Sequence, residues 1–437
     1  MKNAIIWFRN DLRLLDNHVL NEALTKSDNI LPVYIFDTRQ WRENHLGISK
    51  TGKYRTKFII ESVRALRDAL QAIGSNLLVK TGFPEMIIPV LAQKYNIHKV
   101  YAGAEPGTEE AGVTSRTEKN LWEHKKELSL THTNYLIHPD QLPFPIHSLP
   151  DVFTKFRKEV ERGMHISAEL PLPNHIPTVQ ADDWGDIPSI DKLNSNLEVL
   201  ESELRFPGGE AAAWKQLNAF VWEKDLLKTY KETRNGLLGD DYSSKFSPYL
   251  SVGALSPVSI YHQVKMYERK RIANESTYWL IFELLWRDYF RYVNMKYKSA
   301  LFRNEGIAGK SKTGRRDMRR FWRWANGETG TPFIDANMQE LLQTGFMSNR
   351  GRQNVACYLV KVMGVDWLLG AEFFESMLID SDVSSNWGNW LYVAGVGNDP
   401  REDRFFNPHR QAQMYDPKGL FQKHYLPELK DWTAEEI

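Results

Sequence analysis

The spacing of apolar residues changes once along this chain, near residue 207, and that change limits the possible folds more than any other feature. Before it, short apolar runs alternate with helically spaced segments. The runs are residues 4–8 (AIIWF), 30–36 (ILPVYIF), 77–79 (LLV) and 100–102 (VYA), with a fifth expected near 131–137. Between them Ile59, Val63, Leu66, Leu70 and Ile73 keep a helical period that stops at Gly74; Pro84 opens a helix through Tyr95, and a polar helix is expected over 108–127. Strands alternating with helices predict a doubly wound parallel sheet in an α/β domain. After 207 the strand patterns vanish. Helical spacing recurs over 209–227, 256–273, 277–297, 316–325, 335–344, 351–363 and 370–379, which predicts an all-α domain. Between the halves, HPDQLPFPIHSLPD and LPLPNHIPTVQADDWGDIPS read as a long connector with one helical piece at 152–162. Its Phe, Leu, Ile and Trp residues predict that it packs. The expected organisation is an α/β domain over 1–135, a connector over 136–206 and a helical domain over 207–437.

The net charge of +1 rules out a global field toward nucleic acid or membrane, so any basic binding surface must be local. One cysteine, Cys357, excludes an internal disulfide and any cysteine-based metal site. The histidines show no metal-ligand spacing, so no metal is expected. No apolar run is long enough to span a bilayer, and the charged start MKNAIIWFRNDLRLL lacks a signal-peptide core; a cytoplasmic protein is expected. No dinucleotide-binding glycine fingerprint or P-loop follows a strand. Of the 14 Trp, ten follow residue 210, a crowding that suits either large cores or an aromatic-lined pocket and electron path.

Residues 376–407 do not read as a plain amphipathic helix. Asp380 and Asp382 precede Asn386, Trp387, Trp390 and Tyr392, then a Gly-rich run ends in Asp399-Pro400-Arg401-Glu402-Asp403-Arg404. Carboxylates, amides and aromatics so interleaved suit a flat, hydrogen-bonding, redox-active ring. Arg352, in SNRGRQN, is placed to pair with Asp380 as a buried orienting ion pair. The loop Tyr242-Ser243-Ser244-Lys245-Phe246-Ser247 can bind phosphate oxygens or simply cap a helix. Glu283, Trp286 and Arg287 fall on one helix face and can grip a base or form a surface ion pair. Lys310–Arg323 holds seven basic residues, one acid, Phe321 and Trp322, and reads equally as a nucleic-acid contact or a solvated face.

IIWFRNDLRLLDN, LPDVFTKFRKEVE, KFSPYLSVGALSP, ELLWRDYFR, TGFMSNRGRQNVA and SNWGNWLYVAGVGNDPREDRFFNP, in that order, resemble the photolyase/cryptochrome family, specifically its cryptochrome DASH branch. The resemblance implies that the helical domain holds FAD. Tyr230, Ser243, Ser244, Lys245, Phe246 and Ser247 match positions that hold its phosphates and ribityl chain. Asn349, Arg352, Asp380 and Asp382 match flavin and adenosine contacts, and Asn386 matches the residue facing the flavin N5. Glu283 and Trp286 match the acid and aromatic that meet a flipped pyrimidine dimer, with Arg287, Gln353 and Tyr392 beside them as DNA contacts. Members that repair duplexes carry Trp at the position of Tyr392 and Met at that of Gln353. Trp390 and Trp367 match the inner electron-chain tryptophans; the outermost position falls near Gly314, leaving Trp324 or Trp322 to substitute. Glu105 matches a contact to a methenyltetrahydrofolate antenna, within a departing AGAEPGTEE segment. The implied function is light-driven repair of cyclobutane pyrimidine dimers in single-stranded DNA by a monomer, with RNA a second nucleic-acid partner. The rival is a blue-light photoreceptor that binds nucleic acid without repair.

Overall fold

The computed structural model describes residues 1–437 except 201–202, 311–313, 399–404 and 432–437. The Asp399–Arg404 run therefore lies outside the described residues. Five parallel strands, β1 (Asn3–Phe8), β2 (Asn29–Phe36), β3 (Leu78–Thr81), β4 (Ile97–Ala104) and β5 (Glu127–His132), form one sheet in the order β3-β2-β1-β4-β5. Helices α1 (His18–Lys26), α2 (Lys53–Ala72), α3 (Pro84–Lys94) and α4 (Thr108–Glu123) provide the crossovers. The central strands are buried along nearly their whole length, as a sheet covered on both faces requires. The fifth strand lies a few residues earlier than expected. It is an edge strand of sequence ELSLTH with no fully buried residue, so its apolar signal is weak. Strand order reverses between β1 and β4, which opens a crevice beyond their carboxyl ends.

The connector is built into the sheet domain. Ile30 N donates to Pro177 O and Val179 N to Ile30 O, and Val79 N donates to Trp184 O, so the chain runs alongside β2 and β3. Its helix Phe153–Glu161 buries Phe153, Phe156 and Val160. From Glu210 onward the described residues contain helices and turns without strands. One hydrophobic cluster runs from Ala4 to Val396, so both halves share a core. Buried polar groups close the seam. The Arg13 guanidinium donates to Asn134 Oδ1 and to Gly253 O, and the Glu210 carboxylate accepts from Leu14 N and Leu15 N. Asp288 accepts from the backbone N–H groups of Leu136 and Ile137; burial, opposed by Arg287, pushes its carboxyl up to about 7. Among the described residues no helix is long and apolar enough to cross a membrane.

Candidate functional site

Residues 383–394, which did not look helical in sequence, form a helix, Val383–Ala394. The Asp382 carboxylate caps it by accepting from Ser385 N at 2.8 Å. The helix buries Ser384, Asn386, Trp387, Gly388, Trp390, Leu391 and Ala394, so it lacks the single apolar stripe that marks a surface helix. Gly388 lets it approach the long helix Glu275–Tyr297, because a Cβ there would lie 2.3 Å from Phe290 Cδ1.

This helix lines an open cavity of ≈ 830 Å³ together with helix Asn349–Cys357 and the turn that carries Asp380. Five residues expected at the ring, Asn349, Arg352, Asp380, Asp382 and Asn386, line it, with Gln353, Trp390 and Tyr392. The anticipated ion pair is present: Arg352 Nη2 donates to both Asp380 oxygens at 2.9 and 2.8 Å, while Nε donates to Met347 O. These bonds use two of the three guanidinium nitrogens, so Nη1 remains available to the cavity. Asn386 Nδ2 donates to Ala371 O at 2.9 Å, which leaves the amide oxygen, an acceptor, for a ligand. Gln353 Oε1 and Ser381 Oγ are buried without hydrogen-bond partners among the described residues. Burial pushes the Asp382 carboxyl up, but Arg291 and Arg287 outweigh it and hold the group below its ordinary range.

The serine-rich loop lies beyond this cavity and reaches it through aromatic rings. Lys245 Nζ sits over the Tyr242 and Phe346 rings, and the Arg352 guanidinium covers Phe346 as well. Lys245 is 3% exposed, has a left-handed backbone (φ 56°), and its ammonium has no hydrogen-bond partner among the described residues. Burial pushes it down to about 6. Tyr230 meets Phe246 through Phe220. Burial favours the neutral amine of Lys245, and an anionic phosphate beside it would restore the ammonium and give it a partner.

On the outer side, Trp286 meets Tyr392 edge-on at 6.0 Å. Phe153 of the connector stacks on Trp286 at 3.6 Å and 13° and fixes its plane. Glu283 accepts from Arg234 Nη1 at 2.6 Å and Trp279 Nε1 at 3.1 Å; burial raises its pKa and Arg234 opposes the rise. Arg234, four residues past Tyr230, was missed in the sequence. Arg287 does not join this group. It is 11% exposed and donates to Asn134 O and Leu250 O, so it clamps the two halves and is spent as a DNA contact.

The tryptophans also sort themselves. Trp390 packs edge-on against Trp324 at 6.2 Å and Phe374 at 5.2 Å. Trp367 packs against Trp387 at 5.9 Å, and its indole donates to Asn304 O. Trp387 donates to Glu375 Oε2. A Cβ at Gly314 would fall 2.5 Å from the Val365 and Asp366 backbone, so no outer ring can extend from that position without moving the chain.

A second cleft of ≈ 1900 Å³ opens at the strand-order reversal. Arg9 and Asn10 follow β1, Glu105 and Glu110 follow β4, and Lys50, Arg291 and Asp382 also line it. Glu105 accepts from Asn10 Nδ2 at 3.2 Å and lies 3.8 Å from Arg291 Nη2. Arg291 also reaches Asp382 at 3.4 Å, and Ser381 and Asp382 line both cavities.

Residues 279–437 match the family model described as the FAD binding domain of DNA photolyase, and 4–177 match DNA photolyase. The chain is 48% identical to Cryptochrome DASH of Gloeobacter violaceus over 434 residues, covering 98% of this chain and 86% of that one. It is 47% identical to the chloroplastic/mitochondrial Cryptochrome DASH of Solanum lycopersicum, over 99% of this chain and 78% of the relative. The crystal structure of a Synechocystis sp. cryptochrome superposes with a TM-score of 0.95 at 46% identity, covering 100% of this chain and 90% of that one. A class III photolyase from Agrobacterium tumefaciens gives 0.86 at 26% identity, over 100% and 88% of the two chains. The chain belongs to the photolyase/cryptochrome family and, within it, is a flavoprotein of the cryptochrome DASH type. Its cofactor is FAD, and the Asn386 acceptor, the Arg352–Asp380 pair and the buried Lys245 without a hydrogen-bond partner among the described residues suit the ring and phosphates of that molecule.

Proposed function

We propose that this protein uses blue light to split cyclobutane pyrimidine dimers in single-stranded DNA. The observation that carries the reading is the shared wall: Asn386, Trp390, Tyr392 and Gln353 line one cavity, and Trp286 abuts Tyr392 at its rim. Bound FAD supplies the light-absorbing, electron-donating chemistry. The protein's residues hold and orient. Arg352, fixed by Asp380, and Asn349 grip the ring edge, Asn386 offers its oxygen to a ring N–H, and Asp382 faces the adenosine side. Lys245 and the hydroxyls of Ser243, Ser244 and Ser247 meet the phosphates, with Tyr230 and Phe246 behind them. A flipped dimer rests against Trp286 and Tyr392 beside Gln353, and Glu283, whose pKa burial raises against the pull of Arg234, faces a pyrimidine carbonyl. Flipping is cheap in a single strand and costly in a duplex. Tyr392 supplies a smaller ring than Trp, which weakens the grip that duplex flipping needs. Trp390 and Trp324 form the inner steps of a relay that delivers electrons to the cavity, and the Trp367–Trp387 pair forms a side branch.

Further, we propose that the second cleft seats a folate antenna, with Glu105 as a polar contact, and that the protein works as a cytoplasmic monomer. The test is blue-light illumination of the reduced holoprotein with a dimer-containing oligonucleotide, single-stranded or annealed, or its RNA counterpart. Dimer loss in the single strand, with little in the duplex, is expected. No loss would overturn the reading and favour a photoreceptor that binds nucleic acid without repair.

A further inference from the structure

The basic run that begins at Lys310 has no part in the roles above. Its helix, Met318–Ala325, buries Phe321, Trp324 and Ala325. Trp322 is half-buried on the other side, one turn from Met318, which is 39% exposed. Five arginines lie on this helix or just before it, and Arg319 is one helical turn from Trp322. Arg316 pairs with Asp366, Arg320 donates to Met363 O and Arg323 donates to Glu328 O. Arg315 and Arg319 are exposed and have no side-chain partner among the described residues. Inward from Trp322 the rings are continuous. Phe321 lies 5.0 Å from Trp322 and 6.0 Å from Trp324, and Phe373 lies 6.4 and 5.7 Å from the same two rings. Trp324 then meets Trp390 at 6.2 Å, on the cavity wall.

We propose that this face docks an anionic one-electron donor and passes its electron inward through Trp322, Trp324 and Trp390. The inference rests on the relay proposed above. The donor is oxidised by one electron and refills the vacancy at Trp322, which has refilled Trp324, which has refilled Trp390; the net electron goes to the cofactor's cavity, and no bond is made or broken. Charge complementarity selects the donor, because two unpaired guanidinium groups beside an aromatic exit attract anions. Phe321 and Phe373 meet Trp322 at 65° and 87° and continue it inward to the cavity wall, a continuity that an electron donor uses and a stacked base does not need.

The test compares photoreduction of the oxidised holoprotein by ferrocene carboxylate, ferrocenemethanol and a trimethylammonium ferrocene. At low salt the anion should be about tenfold faster than the cation, and the ratio should collapse at high salt. Arg315→Glu combined with Arg319→Glu should reverse that order while the neutral donor keeps its rate. In the dark, the Trp322 fluorescence component, taken as the difference from Trp322→Phe, should be quenched by iodide less in the charge-reversed variant, with acrylamide quenching unchanged. If Trp390→Phe slows every donor but donor charge has no effect, docking is overturned and the relay stands. If Trp390→Phe and Trp322→Phe slow none, the relay itself fails. Suppression of iodide quenching by a dimer-free oligonucleotide would also overturn the proposal, since it would make nucleic acid the occupant.

Discussion

The two cavities that meet at Asp382 are built in opposite ways. In the helical half, the carboxylates, Arg352 and Asn386 are fixed by protein partners before a ligand arrives, while Gln353 Oε1 and Ser381 Oγ stay without one among the described residues. Arg352 is held by Asp380 and Met347, Asn386 by Ala371, and Asp382 by Ser385 and Arg291. The cleft beyond β1 and β4 is more than twice as large and draws its charges from loop ends and neighbouring helices. Lys50 reaches Glu109 and Glu375, and Arg39 divides itself between Asp37 and Glu85. A preorganised cavity selects one ring system at little ordering cost, whereas a wide, charged crevice adapts to different occupants. Substitutions in the first should therefore disturb fold and cofactor together, and substitutions in the second should disturb only its own ligand.

The largest effect is expected from Arg352→Ala. The Asp380 side chain is 1% exposed, and loss of its partner strands a buried carboxylate. Destabilisation of about 3–5 kcal/mol is expected by denaturant titration, with loss of flavin absorbance on purification. A variant that keeps both would break the contrast between the cavities.

Next in size, Trp390→Phe should slow flavin photoreduction by about two orders of magnitude, a loss of ~3 kcal/mol in the electron-transfer step. Trp324→Phe should slow it more than Trp367→Phe, because Trp324 makes the ring contact with Trp390. Equal losses for Trp324 and Trp367 would restore the path expected from sequence. Transient absorption of the tryptophan radical in each variant is the measurement.

These residues also show what a sequence of this kind reveals. The five-stranded alternation and most helices after 207 follow from period, since one buried face repeats at 2 or 3.6 residues. Helix Val383–Ala394 escaped that reading because several of its sides are buried, which erases the stripe. The Arg352–Asp380 pair was legible because each partner lies in an unusual polar run. The helix face that carries Glu283, Trp286 and Arg287 was visible, but the use of Arg287, and of Arg291 and Asn294 further along the helix, was not. Asn294 donates to Ser384, Arg291 bridges Asp382 and Glu105, and Arg287 holds carbonyls across the seam. Such pairings connect residues about 40 to 190 positions apart, and no local spacing encodes them.

A smaller effect should separate the phosphate end of the FAD site from both cavities. Lys245 is held at about 6 by burial, far below an unfolded lysine. Between that value and the unfolded one the unfolded chain binds the extra proton, so stability of the cofactor-free protein should rise with pH across this window. Cofactor binding has the opposite sign. A phosphate beside Lys245 favours the ammonium, so binding takes up a proton above pH 6 and affinity falls as pH rises. Lys245→Met should flatten both dependences and weaken FAD by about tenfold at pH 6. Calorimetry in buffers of different ionisation enthalpy counts the proton directly; zero uptake near pH 8 would remove Lys245 from the phosphate site.

The smallest effect should come from Glu105→Gln. Its oxygen accepts one hydrogen bond, from Asn10, and stands 3.8 Å from Arg291. The amide keeps the shape and the hydrogen bond but removes the charge, so Arg291 shifts its pairing toward Asp382. Folate added to the holoprotein should bind more weakly by a few-fold, read by its near-ultraviolet absorption band. Flavin content should stay unchanged, because Asp382 keeps Ser385 and Arg291 as partners. Loss of FAD from this variant would mean that the bridge through Arg291 couples the two cavities, and the contrast between a preorganised site and an adaptable one would give way to a single linked site.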